Sequence, residues 1–190
     1  MAKDGELDAA TREIAEMRAV ASGDPAAFAQ LIDRESPRLL RFAQGLLGTL
    51  EEAEDVVQDT LIRLYENAGS WEPQARIGTW LHRVCYNRSI DKLRRRRAFV
   101  EDGVLDEMPD GADLPDSALL RSEAVRSVRD AMERLPHRQR TAVLLFHFQE
   151  LAQREAAGIM GISEPAFESL LARARRQMRT LLDREGDGDV

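Results

Sequence analysis

Cysteine, histidine, aromatic residues and long apolar runs are all scarce in this chain of 190 residues. The single cysteine, Cys85, excludes an internal disulfide and gives no support to an oxidising compartment. Three scattered histidines, His82, His137 and His147, have no partners at ordinary ligand spacing, so no metal and no cofactor is expected. A phosphate-cradling Gly-rich loop is absent, as is a nucleophile with a base partner, which removes the motifs an enzyme would need. No apolar run approaches the length needed to cross a bilayer, and Met1 to Glu16 is polar and acidic, unlike a signal peptide. A cytoplasmic protein without membrane insertion is expected. Only 12 Gly and 7 Pro are present, and β-branched and aromatic residues are few, so the composition favours an all-α fold.

The net charge of -7 argues at first against a polyanionic partner, but its distribution reverses that reading. Residues 1–97 carry 15 basic and 16 acidic side chains, and residues 119–190 carry 12 and 11. The stretch 98–118 holds seven acids (Glu101, Asp102, Asp106, Glu107, Asp110, Asp113 and Asp116) and no base. Two nearly neutral modules are therefore free to concentrate Arg locally, which is what a phosphate footprint requires.

Five segments follow from the pattern: a polar segment over 1–20, a helical module over 21–97, an acidic linker over 98–117, a second helical module over 118–184 and a tail over 185–190. In the first module Asp24-Pro25 and Ser36-Pro37 both read as helix starts, each a cap residue followed by proline in the first turn. Thr49 with Glu52 has the form of a capping box ahead of Ala53, Val56, Val57, Thr60, Leu61 and Leu64 at helical spacing. Asp55, Gln58, Asp59 and Ile62 fall on the outer side of that helix. Residues 70–78 read as a loop, followed by a long helix ending in Arg94–Arg97, with Trp80, Leu81, Val84 and Cys85 inward. The linker lacks periodicity and is rich in Asp, Gly and Pro, so it is expected to be flexible or extended. Beyond it, Leu120, Ala124, Val128, Ala131 and Leu135 predict an amphipathic helix that Pro136 breaks, starting another through Phe148.

Segment 153–172, QREAAGIMGISEPAFESLLA, has the pattern of a helix-turn-helix. Ala157 is small where two helices cross, Gly161 four positions on allows the tight turn, and Ser163 caps the second helix. Phe167, Leu170, Leu171, Ala174, Met178, Leu181 and Leu182 form an inward stripe. The outer side carries Glu164, Glu168, Ser169, Arg173, Arg176 and Arg179. Read as a DNA-binding element, it sets its N-terminal end against base edges in the major groove while Arg side chains hold phosphates. An acid near that end accepts from a cytosine amino group. Four Arg at the end of the earlier helix complement its dipole, but Trp71, Trp80, Tyr86 and Asn87 precede them and add stacking and amide groups suited to unpaired bases.

With these motifs in order, the chain resembles the extracytoplasmic-function (ECF) group of bacterial sigma factors, in the sigma-70 family. AEDVVQDTLIRLYENAGSW (53–71) is similar to the family's region-two helix that docks on the β′ coiled coil of RNA polymerase. TWLHRVCYNRSIDKLRRRR (79–97) is similar to its promoter-melting helix. LPHRQRTAVLL (135–145), the helix-turn-helix and ARARRQMR (172–179) are similar to region four. The resemblance implies a core-polymerase surface at Asp55, Gln58, Asp59 and Ile62. It implies minus-10 DNA contacts from the loop Trp71–Ile77 and the helix after it, at Trp71, Arg76, Arg83, Asn87, Arg88, Lys92, Arg94 and Arg95. Minus-35 contacts are implied at Ser163, Glu164, Glu168, Ser169, Arg173 and Arg176. Glu168 departs from the family, standing where a base is common.

Implied partners are RNA polymerase core, through the β′ coiled coil and β flap, promoter DNA, and an anti-sigma protein. The resemblance also suggests that the acidic linker threads toward the polymerase's nucleic-acid channel. A simple helix-turn-helix repressor accounts for residues 119–190 but leaves the helix over 53–66 and the aromatic-basic helix without a purpose.

Overall fold

Asp24 starts a long helix of the N-terminal half by accepting the N–H groups of Ala26 (2.9 Å) and Ala27 (3.3 Å) on its side-chain oxygen. That helix runs on to Leu47, where Gly48 closes it at φ 90° and donates its N–H to Gln44. Thr49 then caps the next helix by accepting from Glu52 N–H at 3.3 Å, one half of the capping box the sequence predicts, while Glu52 Oε2 accepts the Thr49 hydroxyl at 3.2 Å. In the computed structural model, which describes residues 2–72, 75–101 and 123–186, the described residues are helical with no strand. The elements are α1 (Ala2–Ala21), α2 (Pro25–Leu47), α3 (Leu50–Asn67), a 3-10 turn (Ala68–Ser70), α4 (Ile77–Glu101), α5 (Glu123–Glu133), α6 (His137–Val143), a π-helical turn (Leu144–Phe148), α7 (Gln153–Met160) and α8 (Glu164–Gly186).

Three expectations change. Ser36-Pro37 is not a helix start: α2 passes through Pro37 without interruption. The buried stripe Leu31, Leu39, Phe42, Ala43 and Leu46 spans the proline, and Pro37 and Asp33 are exposed, so the carbonyl that loses its N–H partner lies on the solvent side. The polar segment over 1–20 is α1, which buries Met17 and Val20 and packs on α2 and on the 3-10 turn. α4 runs through residues 98–101, into the stretch read as linker. The remainder of the acidic linker, residues 102–117, lies outside the described residues, as do Ala118, Leu120 and the last four residues of the tail.

α2, α3 and α4 pack on one another around Leu31, Phe42, Leu64, Ile77 and Leu81, all fully buried. Cys85 joins this core, and burial pushes its thiol up to about 12, so it is a small apolar filler at neutral pH. In the C-terminal half, α8 lies against α5, α6 and α7 with Phe167, Leu171 and Ala174 inward. The turn between α7 and α8 is made at Gly161, φ 64°, which donates its N–H to Gly158, and Ser163 Oγ accepts from Ala166 N–H at 3.4 Å. A left-handed turn with a Cβ costs about 1–2 kcal/mol. Gly161→Ala is therefore expected to lower unfolding free energy by roughly that amount in a denaturant titration, although open space surrounds the position.

Candidate nucleic-acid and polymerase interfaces

The period of α3 divides it cleanly. Ala53, Val56, Val57, Thr60 and Leu64 are buried, and Thr60 satisfies its hydroxyl by donating to the Val56 carbonyl at 2.7 Å. The opposite face presents Asp55, Gln58, Asp59 and Ile62, the four residues expected to meet polymerase, all exposed. Tyr65 extends the face and packs against Phe28 of α2, ring centroids 5.2 Å apart. Ile62 and Tyr65 are half exposed, which gives this acidic face an apolar centre.

α4 divides in the same way. Ile77, Leu81, His82, Cys85, Tyr86 and Ser89 are buried, leaving Arg83, Asn87, Asp91, Arg94 and Arg95 as an exposed stripe. Arg88 and Lys92 sit at the edge, half buried. Lys92 donates to Asp55 at 3.0 Å, and with Gln58, Asp59, Arg88 and Arg95 these line one groove between α3 and α4. The proposed polymerase and minus-10 residues thus share a border. Arg96 turns inward, toward Glu52 and the Leu47 carbonyl at the end of α2, so the Arg run is not a uniform track.

The aromatic groups behave differently from the stacking platform expected of them. Trp71 is half buried and meets Trp80 edge to face, centroids 5.8 Å apart, and Tyr86 is buried. Helix packing claims their faces, and only Asn87 of that group is exposed. Arg76 is 68% exposed at the end of the loop. On α8, Ser163, Glu164, Glu168, Ser169, Arg173 and Arg176 are all exposed along one side, with Arg173 Nε donating to the Ser169 carbonyl at 3.3 Å. Arg175 sits over Phe146 at 5.4 Å and contacts His147 at 3.2 Å.

The sequence gives no sign that the two halves touch. α7 packs on α4, and α2 on α6 and the π-helical turn. Thr79 Oγ1 donates to Glu155 Oε1 at 3.1 Å, and Gln149 Nε2 donates to the Arg38 carbonyl at 3.3 Å. His82 lies between the Gly78 carbonyl (Nδ1 to oxygen, 2.8 Å) and Gln149 Oε1 (Nε2 to oxygen, 3.2 Å). Both facing atoms are acceptors, so the single N–H of a neutral ring serves one of them at a time. Burial pushes the His82 pKa down, opposed by the Gly78 and Gln149 contacts and by Glu35, and assisted by Arg38. His82, Gln149 and Glu155 escaped the sequence reading because their partners are far along the chain. Among the described residues, no group of three or more His, Cys, Asp or Glu side chains is placed to hold a metal ion. No helix among them is long and apolar enough to cross a membrane.

Two helical units, one ending in a helix-turn-helix and the other pairing an acidic-apolar face with a basic stripe, define a class of multi-contact DNA-binding proteins. A family model for Sigma-70 region 2 matches residues 31–99, and one for Sigma-70, region 4 matches residues 126–178. The chain is 33% identical over 161 residues to the ECF RNA polymerase sigma factor SigM of Mycobacterium tuberculosis (strain ATCC 25618 / H37Rv), covering 85% of this chain and 80% of that protein. It is 27% identical over 179 residues to the ECF RNA polymerase sigma factor SigW of Bacillus subtilis (strain 168), covering 87% and 94%. Among solved structures, the sigma factor RpoE bound to the anti-sigma factor NepR from Bartonella quintana matches with TM-score 0.72 and 28% identity over 82% of this chain and 96% of that one. CnrH in complex with the cytosolic domain of CnrY matches with TM-score 0.68 and 26% identity over 90% and 97%. The chain belongs to the ECF group of the sigma-70 family, whose members are transcription regulators.

His82 generates a pH prediction. Its folded pKa lies below the ordinary value of 6.5, so the unfolded chain binds more protons near that pH and stability rises with pH. The contribution is complete above that range and is lost as pH falls below it. His147 has a lowered pKa through burial and Arg175 and adds in the same direction. Thermal melting at pH 5.5 and 7.5 is expected to show lower stability in acid, with a smaller difference in His82→Gln.

Proposed function

We propose that this chain is a dissociable promoter-specificity subunit of RNA polymerase, in which α3 docks on the β′ coiled coil, α4 with the loop before it captures minus-10 DNA, and α8 reads minus-35 DNA. The observation that carries this reading is the pair of helices α3 and α4, which expose an acidic-apolar face and a basic stripe side by side. Polymerase core supplies the catalysis. Capture of unpaired minus-10 bases offsets lost base pairing and favours strand opening. A contact between the C-terminal half and the β flap, a linker that follows the nucleic-acid channel, and residence in the cytoplasm belong to the same reading. So does control by an anti-sigma protein, given the complexes formed by RpoE and CnrH.

The packed arrangement of the halves is the promoter-free form. By their names, minus-10 and minus-35 elements lie about 25 base pairs apart, on the order of 85 Å of B-DNA at 3.4 Å per base pair. α7 touches α4 here, so engagement of both elements requires the halves to part.

Run-off transcription with core polymerase on a promoter library tests the reading, and failure to direct any specific start would refute it. Asp59→Arg is expected to weaken core binding at least tenfold in a fluorescence titration without changing the circular dichroism. Arg94→Ala with Arg95→Ala should leave core affinity intact, weaken open-complex formation and reduce the salt dependence of DNA binding. For the packed form, a Cβ at Gly45 would lie 2.8 Å from the buried Leu144 Cδ2. Gly45→Leu is therefore expected to enlarge the radius of gyration in X-ray scattering at unchanged helix content.

A further inference from the structure

We infer that Glu13, on the N-terminal helix and outside both family-matched segments, is a positioning residue for minus-10 recognition: its carboxylate caps the melting helix and fixes Arg76 at the end of the recognition loop. The inference rests on the reading of α4 and its loop as the minus-10 element.

Among the described residues next to it in sequence, none caps α4. Its first backbone groups follow Arg76, whose side chain has no oxygen to accept an N–H, while the Arg76 carbonyl already takes the Trp80 N–H at 3.0 Å. The missing acceptor arrives from 64 residues away: Glu13 Oε2 accepts from Ile77 N–H at 3.1 Å. The other oxygen, Oε1, accepts from Arg76 Nε at 3.2 Å. A carboxylate at this end of a helix is also favoured by the helix dipole. Glu13 is only 16% exposed where Arg76 is 68% exposed, so the more enclosed partner anchors the more exposed one.

The opposite end of the same loop is held by Trp71 against Trp80. α1 itself is anchored on the core by Met17 and Val20. One turn along from Glu13, Glu16 grips Arg34 through two bonds of 2.8 and 3.0 Å. Arg34 passes the restraint to Glu35 at 2.8 Å, beside Gly78 of α4. α1 therefore braces the start of α4 directly through Glu13 and indirectly through Glu16.

The full-length chain with core polymerase provides the test, comparing wild type, Glu13→Gln and Glu13→Ala on a library randomised at the minus-10 element. Promoter opening is read by permanganate reactivity and core affinity by titration. Glu13→Gln keeps an acceptor for Ile77 N–H but loses the ion pair, whereas Glu13→Ala loses both. Opening is expected to fall about threefold in the first and about tenfold in the second, with broadened minus-10 base preference and core affinity within twofold of wild type. Should Glu13→Ala fail to fold, the base preference of Glu13→Gln still decides. Unchanged preference in a folded variant overturns the inference. So does tighter DNA binding with unchanged preference, which would make Glu13 only a charge that opposes phosphate. If wild type itself shows no minus-10-dependent start, the functional reading fails instead.

Discussion

Everything proposed for this molecule depends on one helix meeting two opposed demands. α4 must bury a face against α2 and α3 to exist as part of a stable unit, yet must keep a cationic stripe in water. The spacing of Ile77, Leu81, His82, Cys85, Tyr86 and Ser89 satisfies the first demand, and Arg83, Asn87, Arg94 and Arg95 meet the second. Tyr86 marks where the demands collide, since an aromatic ring that sequence reasoning offers to a base is taken by the core. Ser89 shows the cost of such burial being met locally, its hydroxyl donating to the Cys85 carbonyl at 2.9 Å.

The contact between the halves carries the buried apolar cluster across from one to the other and adds a polar seam. It is made by Gln149, Glu155, Thr79 and His82, with Gly45 allowing Leu144 to approach α2 closely. Hydrogen bonds of this kind contribute about 0.5–1.5 kcal/mol each. These few polar bonds, one shared by a ring with too few protons for its two acceptors, add to the apolar contact between the halves. Interactions of that size are readily displaced by partners that engage each half with many charge-assisted contacts. The ion pair between Lys92 and Asp55 is of the same order, since both groups are partly exposed.

Local chemistry was legible in the sequence, and distant chemistry was not. Asp24, Thr49, Gly161 and Ser163 act within four residues of themselves, and the structure uses each as its type suggests. Periodicity likewise separated the inner from the outer face of α3 and α8. Ser36-Pro37 misled because the local signal for a helix start was real but weaker than the apolar stripe continuing on both sides of it. α1 was read only as polar because its buried residues, Met17 and Val20, sit at one end of a largely charged segment. The contacts Glu13–Ile77 and His82–Gln149 could not be read at all, since each joins residues more than 60 apart.

The acids on α8 follow from where its arginines stand. Glu164 occupies the first turn, near N–H groups where carboxylates are favoured, Glu168 lies one turn further in, and Arg173 and Arg176 follow on the exposed surface. A helix entering the major groove by its N-terminal end brings those acids toward base edges and the arginines toward the backbone. A carboxylate that accepts from a cytosine amino group finds no such donor on thymine, so it is paired at some sequences and not at others. On the proposed reading, Glu168 would trade general DNA affinity for discrimination, which suits a protein whose hold on DNA is shared with α4 and with polymerase.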